Sequence, residues 1–257
     1  MIMTMISGLV LLAVANIALL TTPSSATTFE GYDGCKVYDI SHPIRNGTAA
    51  SDSNTGAVDV IRESYGRFTI TGTLNMSTQL GTHVNSPSYF SKFLNFGRNV
   101  DSLDFKTLIG PVLIIQTPTN TDITAKVLRS LQIPEGTKRV IFKTSNTDNC
   151  LMNRQAYTSN YTGLTKGGAN WLVKNTDVEF VGIDYMSIAT KDDVYSVYKI
   201  LLKRHLFKNI IPVENLKLDG IEPGPYIVYC LPLRLIAEAA PARCILLNTT
   251  CPLPTEW

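Results

Sequence analysis

Two stretches of this chain, Val112-Leu113-Ile114-Ile115 and Val140-Ile141-Phe142, are apolar at every position instead of at alternate ones. Successive side chains of a strand point to opposite faces, so a strand written this way is expected where both sheet faces are covered. Runs rich in β-branched and aromatic residues predict further strands over 36–41, 67–73, 178–184, 209–213, 226–230 and 243–247, with the two apolar stretches inside strands at 111–117 and 139–144. Helical spacing appears in three places. Asp122 is a cap for 123–131, Thr165 caps a segment ending in Trp171-Leu172-Val173, and 194–207 would turn Val197, Ile200, Leu201 and Leu202 toward a sheet. Strands interleaved with helices give an α/β or α+β domain, β-rich, with a mixed-sheet core and flanking helices. No linker or repeat divides the chain, and 257 residues with 44% apolar content suit one core, placed at 27–257.

The first 26 residues read differently. Residues 6–20 are apolar and uncharged, and Thr21, Thr22 and Pro23 lead into the small residues Ser24-Ser25-Ala26, the pattern of a secretory signal peptide cleaved near Thr27. The run is shorter than the roughly 20 residues a membrane-spanning helix needs. No Lys or Arg precedes Lys36, so the positive end would come from the α-amino group alone. Four Asn-x-Ser/Thr sequons, at Asn46, Asn75, Asn160 and Asn248, fit the same compartment as candidate glycosylation sites. The expected location is extracellular, in a wall or matrix, or within the secretory pathway, with no membrane association after the signal is removed. Five cysteines, Cys35, Cys150, Cys230, Cys244 and Cys251, would allow two disulfides and one thiol there. Their spacing does not fix a pairing, and Cys230 and Cys244 read as buried packing thiols.

The 23 basic and 21 acidic residues are scattered, which gives no footprint for nucleic acid. Neither a dinucleotide glycine fingerprint nor a phosphate loop nor a Gly-x-Ser-x-Gly elbow is present. With only three histidines, His42, His83 and His205, the choice of metal ligands and general bases is narrow. His205, near the end of the longest helix, reads as a cation complementing the helix dipole.

The segment Gln79-Leu80-Gly81-Thr82-His83-Val84-Asn85-Ser86-Pro87-Ser88-Tyr89-Phe90 resembles His-x-Gly-Thr-His-x-Asp-x-Pro-x-His, the metal-binding signature of the cyclase and kynurenine-formamidase-like family. Further matches follow in order, including Phe142-Lys143-Thr144-Ser145-Asn146-Thr147-Asp148, Val181-Gly182-Ile183-Asp184-Tyr185, Ile211-Pro212-Val213-Glu214-Asn215 and Cys230-Leu231-Pro232-Leu233-Arg234, and these look like the plant branch. The resemblance implies a swivelling β/β/α-type domain, commonly in homo-oligomers, and a metal-dependent hydrolase site. Carried over residue by residue, the family's ligand positions hold Gln79, His83, Asn85 and Tyr89, a later histidine position holds Tyr198, and the family glutamate stands as Glu214.

One imidazole and one carboxylate beside amides and phenols are a poor donor set for zinc or manganese, and Asp-to-Asn exchange removes a full charge. The expectation is therefore no metal and no other cofactor. Polar replacements do not read as a pocket converted to core, since buried amides and phenols need partners. One reading is a metal-independent cyclase, lyase or isomerase for a small polar metabolite, with His83 or Glu214 as general base, Tyr89 or Tyr198 as proton donor, and Gln79, Asn85 and His42 contacting substrate. A second is a non-catalytic extracellular binding or regulatory protein; a third is residual amide or ester hydrolysis with a metal on Gln79, His83, Asn85 and Glu214. Tyr198 reads equally well as an ordinary apolar-face residue of its helix, and His83 as a satisfied core histidine.

Overall fold

The strands apolar at every position lie in the middle of the molecule. The computed structural model describes residues 26–30, 35–48, 61–90, 98–154, 157–203 and 209–249; residues 1–25, His205 and Cys251 fall outside them. In chain order the strands begin with β1 (Thr27–Glu30), β2 (Lys36–Asp39), β3 (Ile61–Tyr65), β4 (Ile70–Leu74) and β5 (His83–Asn85). An alternation of helix and strand follows: α1 (Phe105–Leu108), β6 (Ile109–Gln116), α2 (Ala125–Ser130), β7 (Arg139–Lys143), α3 (Ser145–Asp148), α4 (Lys166–Asn175), β8 (Phe180–Ile183), α5 (Val194–Leu202) and β9 (Ile211–Glu214). Two long strands, β10 (Gly224–Pro232) and β11 (Ala239–Asn248), complete the described part.

Strands β6, β7, β8 and β9 run parallel in that order, as their helical crossovers require. β10 pairs antiparallel with β6 on one side and β11 on the other. β11 then divides its second edge between two partners, β5 through Ala239 to Pro241 and β2 through Ile245 to Leu247. Because β5 also pairs with β9, the sequence β11, β10, β6, β7, β8, β9, β5 returns to β11 as a closed, barrel-like ring. Val140, Ile141 and Phe142 of β7 and all of β8 are fully buried, the double coverage that their composition calls for. Helix α4 packs between α2 and α5. The chain is a mixed α/β protein with more strand than helix.

Several local expectations change. The run 67–73 is not one strand: Gly66 N–H donates to Thr69 O at 2.8 Å, a turn that splits it and pairs β3 with β4 as a hairpin. Helix α2 is capped by Thr124, whose hydroxyl accepts from Val127 N at 3.2 Å, and not by Asp122. Ile123 is still extended there, bridged to Leu164, so the helix starts later and the Asp122 carboxylate accepts from Gly163 N instead. Cys230 and Cys244 are not separate packing thiols. They stand directly opposite in the β10–β11 register and form a disulfide; Cys35 is also disulfide-bonded, and Cys150 is a free thiol. The Thr165 cap stands as expected, accepting from Gly168 N at 3.1 Å. Helix α5 ends at Leu202, and β9 starts at Ile211 instead of 209.

Two adjacent glycines at the start of α4 make opposite predictions. A Cβ on Gly168 would lie 2.2 Å from Ile123 O, a backbone atom that cannot swing away, whereas one on Gly167 meets nothing nearer than 3.8 Å. Gly168→Ala should lower unfolding stability by about 1–3 kcal/mol through overpacking, while Gly167→Ala should raise it by about 0.4–1 kcal/mol. Urea midpoints of the two variants check both signs.

Candidate functional site

Register alone brings two of the candidate residues together. His83 of β5 is the direct partner of Glu214 in β9, and Asn85, two residues along, points to the same face as His83. The His83 Nε2 to Glu214 Oε2 distance is 3.1 Å, and Asn85 Nδ2 donates to the same oxygen at 2.7 Å. The other oxygen, Oε1, accepts from the Tyr198 hydroxyl of α5 and from the main-chain N–H of Ile188 at 2.5 Å. Four polar groups of the protein thus crowd one carboxylate. His83, Asn85, Glu214 and Tyr198 are exposed by only 1, 0, 2 and 4%.

The imidazole is fixed from behind. Its Nδ1 lies 2.9 Å from the carbonyl oxygen of Gly81, which can only accept, so Nδ1 carries a proton. Asn215, in the left-handed region at φ 57°, donates from Nδ2 to the same Gly81 oxygen at 2.8 Å, and the Thr82 hydroxyl donates to Asn215 O at 2.5 Å. Gly81 itself has φ +67°, which glycine adopts without cost. Two acceptors inside this shell, Asn85 Oδ1 and Asn215 Oδ1, are buried without a hydrogen bond.

Tyr89 approaches from the surface side, half-buried, with its ring centroid 4.7 Å from that of Tyr198 and its hydroxyl hydrogen-bonded to it. Burial, followed by the negative charges of Glu214 and Glu238, pushes the Tyr89 phenol up to about 12. Burial, followed by the charges of Glu214 and Tyr89, raises Tyr198 well above the ordinary phenol value. Both phenols therefore keep their protons at neutral pH and serve as donors. Ser187 hydrogen-bonds both Tyr198 and Tyr161, extending the chain of hydroxyls.

Not every expected residue joins this cluster. Gln79 sits half-buried in the turn before β5, and its main-chain N–H donates to Ser77 Oγ at 3.3 Å. His42 touches the motif through its backbone, donating from N to Thr82 Oγ1 at 2.9 Å, but its ring lines a different, shallow pocket with Asn146, Thr147, Cys150, Asp184 and Asp219. At that pocket Asp184 is buried and accepts from the N–H and hydroxyl of both Thr144 and Thr147. Burial outweighs those bonds and pushes its carboxyl up to about 6. Of the sequons, Asn46, Asn75 and Asn160 are exposed and Asn248 is half-buried. Sequence reasoning missed Asp184 as a hub, although Thr, Ser and Asn directly after an apolar strand signal a capped turn there. It could not have found the Ile188 N–H, because a main-chain donor has no residue signature.

Removing the Tyr198 hydroxyl leaves a buried carboxylate oxygen short of a partner. Tyr198→Phe should cost about 1.5–3 kcal/mol of stability, measured by denaturant unfolding at neutral pH. His42 gives a pH prediction. Burial, then the charge of Lys217, lowers its pKa to about 4 from the model-compound value of 6.5. The folded state therefore resists a proton that the unfolded chain accepts, so this contribution is present above pH 6.5 and is lost as pH falls toward 4. With discount for partial solvent access, wild type should lose ~2 kcal/mol more than His42→Gln on that acidification. Urea midpoints of both proteins across the interval check the difference.

A family model described as "Putative cyclase" matches residues 38–190. "Cyclase-like protein 1" of Arabidopsis thaliana is 41% identical over 226 residues, covering 85% of this chain and 88% of its own. "Kynurenine formamidase" of Bacillus cytotoxicus is 32% identical over 214 residues, covering 81% and 95%. A solved structure described as "The Structure Of Potential Metal-Dependent Hydrolase With Cyclase Activity" superposes with a TM-score of 0.68 at 25% identity over 83% of this chain and 98% of that one. Sequence along most of the described chain and fold agree, and the protein with the Glu214 cluster at its ring closure belongs to the cyclase family.

Proposed function

We propose that this chain is a secreted cyclase-family protein that carries no resident divalent metal at the family's ligand positions and acts outside the cell as a non-catalytic binding or regulatory protein. The observation that carries this reading is the occupancy of Glu214: its two oxygens already hold His83, Asn85, Tyr198 and the Ile188 N–H. A divalent cation needs ligands whose lone pairs point to a common centre. Here the only carboxylate and the only imidazole of the cluster are bonded to each other, and Asn85 turns its amide nitrogen, a donor, toward the carboxylate. The orphaned Asn85 Oδ1 offers one neutral oxygen, too little charge to offset dehydration of a dication. The donor set does not fit the metal that the family implies.

The extracellular part of the reading is supported by the leader-like first 26 residues, by exposed sequons at Asn46, Asn75 and Asn160, and by the Cys230–Cys244 disulfide, a bond at home in oxidising compartments.

A second reading is favoured by Tyr89. Half-buried and bonded to Tyr198, it links the surface side to the buried carboxylate through two phenols, the parts needed for metal-independent proton transfer on a polar metabolite by a cyclase, lyase or isomerase. In that case His83 or Glu214 takes a proton and Tyr89 or Tyr198 donates one.

Elemental analysis of dialysed, secreted protein should find far less than one zinc or manganese per chain, with no hydrolysis of formamides or esters; stoichiometric metal would overturn the first reading. A panel of polar metabolites should leave the melting temperature unmoved, because an occupied site would raise it by mass action. A melting shift together with turnover that His83→Ala and Glu214→Gln abolish, and chelators do not, selects the second reading.

A further inference from the structure

One of the four sequon asparagines already has a place in the fold. Asn46 Nδ2 donates to Ile61 O at 3.0 Å, and Asn46 Oδ1 accepts from Ile61 N–H at 2.8 Å, so one side-chain amide pairs with both main-chain groups of the first residue of β3. Strands β3 and β4 pair only with each other among the described residues, and all ten of their residues are exposed. An isolated two-stranded hairpin is marginal in water, so a two-bond hold at its base matters. Residue 46 itself is steadied without that amide. In the turn 45–48 the Thr48 N–H and hydroxyl both donate to Arg45 O, at 3.0 and 2.8 Å, and the same hydroxyl accepts from Arg45 N at 3.0 Å.

A two-point pairing of this kind uses one edge of the amide. The N–H and C=O of an extended residue lie side by side, so the Nδ2 hydrogen that reaches Ile61 O is the one on the same side as Oδ1. That position is where a sugar goes. In N-glycosylation the amide nitrogen gives up one hydrogen as a proton and bonds to the anomeric carbon of an N-acetylglucosamine. The bond from that carbon to its lipid-linked diphosphate donor breaks, and the electron pair leaves on the diphosphate oxygen. The product is a secondary amide and, like a peptide bond, it is trans: its carbon substituent stands on the oxygen side, and its remaining N–H points the other way. Keeping a hydrogen toward Ile61 would require the cis form, disfavoured by roughly 60-fold.

We infer that Asn46 is a covalent switch on the β3–β4 hairpin: bare, it holds the base of β3, and glycosylated, it releases it. A molecule has one state or the other, because sugar and brace compete for the same position on Nδ2. The inference rests on the secretory reading given above, since that is where such a sugar is attached. What the switch governs is an apolar surface. Register and alternation put Ile61, Tyr65, Ile70 and Leu74 on one face, and Tyr65, Ile70 and the tip residue Phe68 are 72, 65 and 88% exposed. Held at Asn46, that face is presented in one direction; released, it loses the fixed direction.

Site-resolved hydrogen exchange on the full chain tests this, because the Ile61 N–H is itself half of the brace. Chain secreted from a glycosylating host, its sugars trimmed by an endoglycosidase to a single N-acetylglucosamine, is compared with the same chain exported to a bacterial periplasm, where disulfides form and no such sugar is added. With the sugar on Asn46, the Ile61 amide should exchange at least about 10-fold faster than in the bare chain. Bare Asn46→Ala should match the sugar-bearing form, which separates lost bonds from added bulk, and Asn160→Gln should leave Ile61 exchange unchanged from either host. Equal protection of Ile61 with and without the sugar overturns the switch, as does slow exchange in Asn46→Ala. Peptide mapping tells the two readings apart: secreted chain with sugar at Asn75 and Asn160 but never at Asn46 overturns the switch alone, whereas secreted chain bare at every sequon overturns the secretory reading with it.

Discussion

A buried carboxylate organises this molecule. Glu214 ends β9 inside the ring closure, where an ion taken from water is costly unless its lone pairs are met. They are met by groups from three places: His83 and Asn85 on β5, the main chain at Ile188, and Tyr198 on α5. The strand that closes the ring, a strand-to-helix connection and the helix covering them are therefore tied to a single group. The β5 strand is three residues long, too short to be held by its ladder bonds alone, and these side-chain bonds give it a second hold.

The same tie bears on chemistry. In a metal-dependent hydrolase a cation gathers carboxylate and imidazole around itself and acidifies a bound water. In this chain Asn85, Tyr198 and the Ile188 N–H gather around the carboxylate of Glu214 as hydrogen-bond donors. These bonds form a chain: Asn85 and Tyr198 both donate to the glutamate, and Tyr89 in turn hydrogen-bonds to Tyr198.

Much of this was legible in the sequence where periodicity was strong. The uninterrupted apolar run of β7 marked that strand as doubly covered, whereas the run in β6 alternates buried with half-buried residues; Thr165 marked the start of α4, and the family pattern put His83 and Glu214 in one site. What escaped was set by partners distant in sequence. A period-2 pattern could not show that Gly66 to Thr69 turns the chain, and β5 is too short to carry a pattern. Asp122 looks like a cap until the Ile123–Leu164 bridge holds the chain extended past it. His42 follows β2 into the neighbourhood of the motif, yet only its backbone reaches Thr82, because the ring turns to the other side, toward Asp184. Side-chain direction at a strand end depends on twist and on what fills each side, neither of which one segment records.

The forked pairing of β11 also dictates when folding can finish. That strand alone holds β10 on one margin and both β5 and β2 on the other, and it spans Ala239–Asn248 of a 257-residue chain. Every other described strand precedes it in the chain, so the ring stays an open crescent until β11 is made, and a chain cut before Ala239 has nothing with which to close it.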